Sequence, residues 1–182
     1  GYKNRPSDRP FPSTLCISVN DEVVHAPGNR DCVLKDGDLV GLDIGVWYKG
    51  MCTDMAVTIP VGQASKGVLQ LIAVTKESML DGIAAVRDGV AVSAIGRAVE
   101  DYVKPYKYGI VRDLVGHGVG KKVHEDPHIP NFYDKHYDTV KLKAGMTIAV
   151  EPMLTAGDWR VKTADDGWTI KTKDRSLSAQ WE

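Results

Sequence analysis

Four acidic residues and one histidine, far apart along the chain, could together bind divalent metal ions: Asp43, Asp54, His117, Glu151 and Glu182. Carboxylate and imidazole groups are ligands that suit first-row divalent ions. Asp43, Asp54 and Glu151 each lie within a stretch of apolar or small residues. A buried carboxylate is costly unless a cation or a proton accompanies it. Taken singly, each acid could be an ordinary strand-end or turn residue, but the set predicts a metal site.

The segment that joins Asp43 to Asp54 predicts a β-hairpin. Residues 39–43 and 46–48 are strand-like, Lys49 and Gly50 form a tight-turn pair, and residues 51–59 are the returning strand. Since side chains alternate along a strand, both carboxylates can point to one face. Two carboxylates that close stay ionised only if cations neutralise them. The spacing therefore predicts two ions.

Two histidines accompany these acids. His117 is enclosed by glycines in the run Gly116-His117-Gly118-Val119-Gly120, which lets the backbone approach closely and leaves the imidazole accessible. His124 follows seven residues later, and His25 ends a predicted strand from which it could reach a cleft. His128 and His136 are interpreted as structural residues. None of the three cysteines has the neighbours of a catalytic thiol, and neither a serine-hydrolase elbow nor a phosphate-binding loop is present.

The remaining patterns describe what must position these residues. Apolar residues recur every three to four positions from about 66 to 86, and a second helix is predicted from Ser93, as N-cap, to about Val103. Residues 15–20 and 23–25 predict a short hairpin, and the chain from 110 onward predicts short antiparallel strands. This order indicates an α+β fold in which the helices cover one face of a curved sheet.

One pattern occurs twice. Leu34-Lys35-Asp36-Gly37 resembles Leu142-Lys143-Ala144-Gly145, and an acid follows nine residues after each leucine, Asp43 and Glu151 respectively. A duplicated half-domain would produce this repeat. A common turn that precedes a strand would produce it equally well, so the repeat alone leaves both interpretations open.

Composition limits the class of protein. A chain of 182 residues with 43% hydrophobic residues is expected to form a single domain over residues 1–182. A net charge of −1 without runs of like charge does not favour a nucleic-acid partner. Three cysteines without a paired motif predict a reducing, cytoplasmic location, and no apolar run is long enough for a membrane span.

Several motifs together resemble the type I methionine aminopeptidases over essentially the whole chain. They are the runs 11–20 through His25, the hairpin from Asp43 to Asp54, 116–120, His124-Glu125-Asp126-Pro127, Glu151-Pro152-Met153, and 166–169 through Ser178-Ala179-Gln180-Trp181-Glu182. Only 30 residues separate Glu151 from Glu182, whereas a type II enzyme carries a long insertion there.

The resemblance implies a pita-bread fold, with two halves related by a pseudo-twofold axis, and so favours duplication. It implies that Asp43 binds one ion, that His117 and Glu151 bind the other, and that Asp54 and Glu182 bridge both. Cobalt, manganese, iron and zinc all tolerate such ligands.

The same resemblance implies the chemistry. A hydroxide held by the two ions would attack the carbonyl after an N-terminal methionine, with Glu151 as proton shuttle and His124 and His25 as groups that stabilise the charged intermediate. Residues that would contact the substrate are Tyr2, Phe11, Cys16, His25, Val123, His124 and Trp168. Nascent proteins that begin with methionine would be the substrates, the ribosome a partner, and the chain a monomer.

The sequence departs from the family pattern in three ways. Val123 stands where the family usually has an aromatic residue, residues 4–10 look like an insertion, and the loop after His25 is one residue shorter. The family also has a helical segment before Gly1 and a closing strand after Glu182. Truncation at both ends is therefore expected, and it puts the activity of the chain in question.

Two alternatives stay open. A prolidase or aminopeptidase P shares the fold and a similar set of five ligands, although the sequences around His124, Glu151 and Gln180 favour the methionine enzyme. A pita-bread module that has lost its metal and binds peptides or ribosomes is the other, and the presence of all five candidate ligands weighs against it.

Overall fold

The computed structural model describes residues 9–182, which form two long helices and thirteen short strands. The strands of the first half are β1 (Cys16–Val19), β2 (Glu22–Val24), β3 (Leu39–Asp43), β4 (Val46–Tyr48), β5 (Met51–Thr53) and β6 (Ala56–Pro60). The helices α1 (Lys66–Ala84) and α2 (Ser93–Val103) follow. The second half contains β7 (Gly109–Ile110), β8 (Gly116–Gly118), β9 (Glu125–Ile129), β10 (Met153–Thr155), β11 (Val161–Thr163), β12 (Ile170–Thr172) and β13 (Ser178–Gln180).

Every pair of strands in the described residues is antiparallel. Three sheets have three strands each, in the orders β1-β3-β6, β13-β10-β7 and β11-β12-β2, and β4-β5 and β8-β9 form two-stranded ladders. Short Gly/Pro-punctuated segments predicted antiparallel strands after residue 110, and the structure confirms them.

The two helices pack on one side of the sheets. One buried cluster joins Leu71 of α1 and Val99 of α2 to Leu39 of β3 and Leu154 of β10. All four side chains are nearly or fully excluded from solvent. Burial of such side chains provides about 1.5–3 kcal/mol each, and here it connects strands of both halves through the helices. The described residues contain no helix that combines the length and the apolar character of a membrane span.

The helix predictions are confirmed, with one correction at a helix start. Helix α1 is capped by the Ser65 hydroxyl, which accepts a hydrogen bond from Val68 N at 3.3 Å. Ser93, predicted as the N-cap of α2, is instead its first helical residue, and Val92 occupies the cap position without a side-chain hydrogen bond. Its backbone is already helical, with φ −54° and ψ −38°, so the preceding turn continues into the helix.

The predicted hairpin at residues 15–25 is wrong in its pairing. Strands form where expected, but β1 pairs with β3, and β2 pairs with the distant β12. The partner of Cys16 on the returning chain is Pro27, and Ile17 N donates to Ala26 O at 2.8 Å. Since β2 pairs with β12, His25 follows a strand of one sheet along the chain. It precedes Ala26 and Pro27, which pair with β1 of another sheet.

The predicted hairpin from Asp43 to Asp54 forms, with one interruption. Its turn places Lys49 at φ +48° and Gly50 at φ +84°, the left-handed values that a two-residue hairpin turn requires. The regular pairing is interrupted between the β4-β5 ladder and the β3-β6 ladder. In this interruption Ile44 N donates to Met55 O at 3.0 Å. The two aspartates lie at this interruption.

Candidate metal centre

The five candidate ligands meet in one place. Ligand atoms of His117, Glu151 and Glu182 all lie within 4.8 Å of one another, and so do those of Asp43, Asp54 and Glu182. The two groups share Glu182. A third group, Asp54 with His117 and His124, overlaps both by the same criterion. The structure therefore brings together all five residues that the sequence singled out.

The first half of the chain supplies the two aspartates. Asp43 is the last residue of β3, where it lies opposite Cys16 on one side and Ala56 on the other. Asp54 occupies the break between β5 and β6, and Met55 N donates to its Oδ1 at 3.2 Å. The interruption in the ladder frees Asp54 from the regular alternation, so its carboxylate can turn towards that of Asp43.

The second half supplies the two glutamates. Glu151 lies two residues before β10, and Glu182 lies two residues after β13. Glu182 N donates to Ala56 O at 2.9 Å, which attaches the end of the second half to β6 of the first. This one backbone hydrogen bond places Glu182 between the aspartates and Glu151.

His117 is held in the tautomer that a metal ligand needs. Its Nδ1 lies 2.8 Å from Gly118 O, and a carbonyl oxygen can only accept, so Nδ1 carries the proton. Nε2 then presents its lone pair at 3.3 Å from Glu151 Oε1 and 3.8 Å from Asp54 Oδ2. Metal-bound histidines are commonly oriented by such a hydrogen bond from the other ring nitrogen.

The glycines around His117 allow close backbone packing. A Cβ at Gly116 would lie 2.3 Å from Ala149 O, and a Cβ at Gly118 would lie 2.3 Å from Asp126 O. Ala149 N donates to His117 O at 2.7 Å, so the strand of His117 runs directly beside the segment that leads to Glu151. Only glycine leaves room for this approach.

Burial raises the pKa values of all four acids, and repulsion adds to this for Asp43, Glu151 and Glu182, so the ionised forms are costly without a counter-charge. Burial, followed by the charge of Asp54, raises the pKa of Asp43 to about 7. Burial and the charges of Asp54 and Asp43 raise the pKa of Glu182 to about 9. Burial and the nearby Glu182 raise the pKa of Glu151 well above its usual value, and burial also raises the pKa of Asp54. Cations among these groups would remove the repulsion.

These residues fit a pair of divalent ions. The donor set of four carboxylates and one imidazole matches the preferences of first-row metals. Glu182 Oε1 is buried and has no hydrogen-bond partner among the described residues. Glu182 is also the residue common to both ligand groups. A buried carboxylate oxygen without a hydrogen-bond partner is costly unless a cation compensates it, and divalent ions bound at this centre would do so.

A cleft of about 580 Å³ opens above the centre and contains the other two predicted catalytic histidines. His25 and His124 both line it, together with His117 and Glu151. The rings of His117 and His124 meet edge to face with centroids 4.4 Å apart. His25 adopts φ +60°, a left-handed conformation that a non-glycine residue rarely adopts and that occurs frequently at functional sites.

Two of the cleft histidines, His25 and His124, are held neutral near pH 7. Burial, and then the neighbouring rings of His117, His25 and His128, lower the pKa of His124 to about 4. Burial lowers the pKa of His25. A neutral imidazole still has one N–H to donate, so each can stabilise negative charge on an oxygen.

The described residues predicted to form a methionine pocket fall into two groups, and one of them lies beside the two aspartates. Cys16 faces Asp43, and Val123 packs near Gly45, where an added Cβ would lie 3.8 Å from the valine methyl and 3.6 Å from Asp54 Oδ1. Phe11 and Trp168 contact each other edge to face, with centroids 5.3 Å apart. Tyr2 lies outside the described residues. The lining of the 580 Å³ cleft does not include Phe11, Cys16, Val123 or Trp168.

The two histidines interpreted as structural differ in position. His136 is exposed and bonds to Asp134, at 2.7 Å from Nδ1 to Oδ1. His128 lines the cleft, so its interpretation as purely structural is incomplete. Sequence reasoning also missed Asp113 and Lys122 at the cleft wall, and the buried Gln180 beside Glu151. Nothing local in the sequence singled out any of these three residues.

Residues 2–182 match the profile of metallopeptidase family M24. The chain belongs to metallopeptidase family M24. A methionine aminopeptidase of Clostridium perfringens is 46% identical over 173 residues, which cover 94% of this M24 chain and 68% of the relative. Among solved structures, a methionine aminopeptidase of Thermotoga maritima superposes with a TM-score of 0.88 and 40% identity, over 92% of this chain and 67% of that one.

A prolidase is also similar, but less so. The prolidase of Pyrococcus horikoshii superposes with a TM-score of 0.67 and 25% identity, over 78% of this chain and 40% of the prolidase. The comparisons confirm the resemblance to the methionine aminopeptidases and the α+β pita-bread fold. Membership of a metallopeptidase family also confirms that the chain is related to metal-dependent hydrolases.

Proposed function

We propose that this M24 chain is a methionine aminopeptidase that uses two divalent ions to hydrolyse the peptide bond after an N-terminal methionine. The observation that carries the proposal is the pair of ligand groups that share Glu182, each with ligand atoms within 4.8 Å. Asp43 would belong to one ion, His117 and Glu151 to the other, and Asp54 and Glu182 to both. The 46% identity to a methionine aminopeptidase supports the choice of reaction.

The bound ions would supply Lewis acidity and lower the pKa of the attacking water. The remaining steps fall to side chains around the centre. Glu151 lies in the cleft beside His117, so its carboxylate can take the proton from water and deliver it to the leaving amine. His124 and His25 are neutral near pH 7 and can donate N–H groups to the carbonyl oxygen as it becomes negative.

Substrate recognition is proposed from the residues next to the centre. Cys16 and Val123 beside the aspartates, with Phe11 and Trp168 in edge-to-face contact, would bind the methionine side chain, whose thioether suits an apolar pocket. His25 and His124 in the cleft would contact the peptide. Tyr2 is proposed for the same pocket from the sequence resemblance alone.

The setting is proposed with the activity. Proteins that begin with methionine would be the substrates and the ribosome a partner, in the cytoplasm, with residues 1–182 acting as a single catalytic domain and as a monomer. The cysteines support a reducing compartment, because Cys16, Cys32 and Cys52 are all unpaired. Cobalt, manganese, iron and zinc are all compatible with the donor set.

Metal titration and a peptide assay test the proposal together. The purified chain, first treated with a chelator, is titrated with Mn²⁺ or Co²⁺ and then assayed on Met-Ala-Ser and on Ala-Pro. Two ions bound per chain and cleavage of Met-Ala-Ser are expected. Preference for Ala-Pro would instead indicate a prolidase, and fewer than about one bound ion would indicate a binding module that has lost its metal.

Paired histidine variants make the test specific. His117→Ala removes a proposed ligand, so metal binding and cleavage should both fall. His136→Ala removes an exposed histidine that bonds to Asp134 instead, and it should leave both unchanged. Equal losses in the two variants would contradict the assignment of His117.

A further inference from the structure

The two carboxylate oxygens of Glu151 have different partners. Oε1 lies 3.3 Å from His117 Nε2, on the side of the proposed ions. Oε2 accepts a hydrogen bond from the side-chain amide of Gln180, with Nε2 at 3.3 Å. The carboxylate therefore has two distinct sides, with Oε1 facing the proposed ligand His117 and Oε2 facing Gln180.

Gln180 is itself fixed. Its backbone N donates to Thr58 Oγ1 at 2.8 Å, and Thr58 Oγ1 donates to Gln180 O at 2.7 Å. Both residues are almost completely buried, at 4% and 1% exposure. These two hydrogen bonds fix the backbone of Gln180, and the burial of its side chain leaves the amide little room to move away from Glu151.

We propose that Gln180 is a positioning residue for Glu151, with Thr58 as its anchor. Together they would orient the Glu151 carboxylate towards the ion that His117 would also bind. The inference rests on the metal centre proposed above. An amide suits this task because it donates a hydrogen bond without adding charge to a group of four carboxylates. It also lacks a titratable proton, so the donor itself does not change with pH.

Hydrogen bonds to the ligands of a metal commonly affect its affinity. Loss of such a partner typically weakens metal binding or activity by about 10–100-fold. A residue that only filled space would not do this when replaced by one of the same shape. Gln180→Met is the suitable change, since methionine is similar in length and apolar but has no N–H to donate.

Ser178→Ala is the matched control. Ser178 lies two residues away on the same strand, is also buried, and donates its hydroxyl to Leu154 O at 3.0 Å rather than to the metal centre. Both variants therefore lose one buried side-chain hydrogen bond of β13. Only Gln180→Met loses one that reaches a proposed ligand.

Calorimetric titration of the metal-free chain with Mn²⁺, and the visible absorption spectrum of the Co²⁺-loaded chain, give readouts apart from turnover. For Gln180→Met we expect affinity for one of the two ions to fall by about 10–100-fold and the Co²⁺ spectrum to change. On Met-Ala-Ser, kcat should fall more than KM rises. Ser178→Ala should retain the wild-type affinity and spectrum.

Thr58→Val retains the Gln180 amide but removes the hydroxyl that anchors it, so it tests the same idea if Gln180→Met folds poorly. A smaller loss of affinity with the same spectral change is expected. Wild-type affinity and spectrum in both variants, or the same loss in Ser178→Ala, would overturn the inference while leaving the metal centre intact. A wild-type chain that binds no divalent ion would overturn both proposals.

Discussion

Cys16 lies directly opposite Asp43 in the ladder between β1 and β3, and its thiol forms a hydrogen bond with the Asp43 carboxyl. Burial, with added contributions from the charges of Asp43 and Asp54, raises the pKa of the thiol to about 12. A cysteine in this position is a poor nucleophile, because only the thiolate reacts readily. The relationship connects a proposed pocket residue to a proposed ligand.

Alkylation with iodoacetamide should therefore distinguish the cysteines. In the metal-free folded chain at pH 8, the exposed Cys32 should react quickly and Cys16 slowly, as followed by mass spectrometry of the peptides. Asp43→Asn removes one of the charges that raise the pKa of the thiol, so it should speed the reaction at Cys16 and leave Cys32 unaffected. Equal rates at Cys16 and Cys32 in the wild-type chain would contradict the buried, acid-paired environment.

The stability of the metal-free chain should fall as pH rises. The pKa of Asp43 is raised from 3.8 to about 7, and that of Glu182 from 4.5 to about 9. Between the unfolded and folded pKa values, the folded chain retains protons that the unfolded chain has lost. The free energy of unfolding then decreases with pH, from about pH 4 to pH 7 for Asp43 and on to about pH 9 for Glu182.

Urea unfolding in the presence of EDTA at pH 5, 7 and 9 measures this dependence. Asp43→Asn should flatten the decline between pH 5 and 7. Asp174→Asn is the control, because hydrogen bonds from Ser176 and Asp158 lower the pKa of Asp174 to about 2, and its effect on pH dependence is confined to acid conditions. A metal-free chain that is more stable at pH 9 than at pH 5 would refute the repulsion among the acids.

Local chemistry explains why some elements were predictable. The hairpin between Asp43 and Asp54 follows from a turn whose residues accept left-handed backbone angles. The repeated L-K-x-G segments form the same turn twice: Gly37 has φ +87° and Gly145 has φ +91°, with Asp38 N donating to Lys35 O and Met146 N to Lys143 O. Both a duplicated half-domain and a common turn before a strand predict this match.

Pairing between distant segments was not predictable in this way. The alternation around Val23 and Val24 predicts a strand, but it does not determine that β2 pairs with β12 rather than with β1. The position of Gln180 against Glu151 depends on the same kind of distant packing. The candidate ligands could be predicted because a carboxylate within an apolar strand is unusual and is visible in the local sequence. The burial of an amide such as that of Gln180 is not visible there.

His124 should contribute to catalysis without binding metal. If its N–H stabilises the developing oxyanion, His124→Ala should lower kcat on Met-Ala-Ser by about 10²–10³-fold, as the loss of one such donor typically does. Calorimetry should still find two bound ions, although Asp54, His117 and His124 also lie close enough to form a ligand group. Loss of an ion in this variant would instead assign His124 as a ligand.

The glycines beside His117 should matter more than glycines elsewhere. In Gly116→Ala, the new methyl would lie 2.3 Å from Ala149 O, a backbone atom that cannot move without shifting the segment that leads to Glu151. We expect a loss of about 1–3 kcal/mol in the free energy of unfolding, as for other overpacked sites. Metal affinity should fall as well, because the shift would separate His117 from Glu151.

Gly67→Ala provides the contrast. Gly67 lies in the first turn of α1, where an added Cβ would meet only the Ser65 hydroxyl at 3.9 Å. Alanine at a compatible helical position stabilises a protein by about 0.4–1 kcal/mol, because it restricts the unfolded chain. Urea unfolding should therefore show lower stability for Gly116→Ala and higher stability for Gly67→Ala. Mn²⁺ titration should show weaker binding for Gly116→Ala only. Unchanged Mn²⁺ affinity in a folded Gly116→Ala would show that the strand of His117 does not set the distance to Glu151.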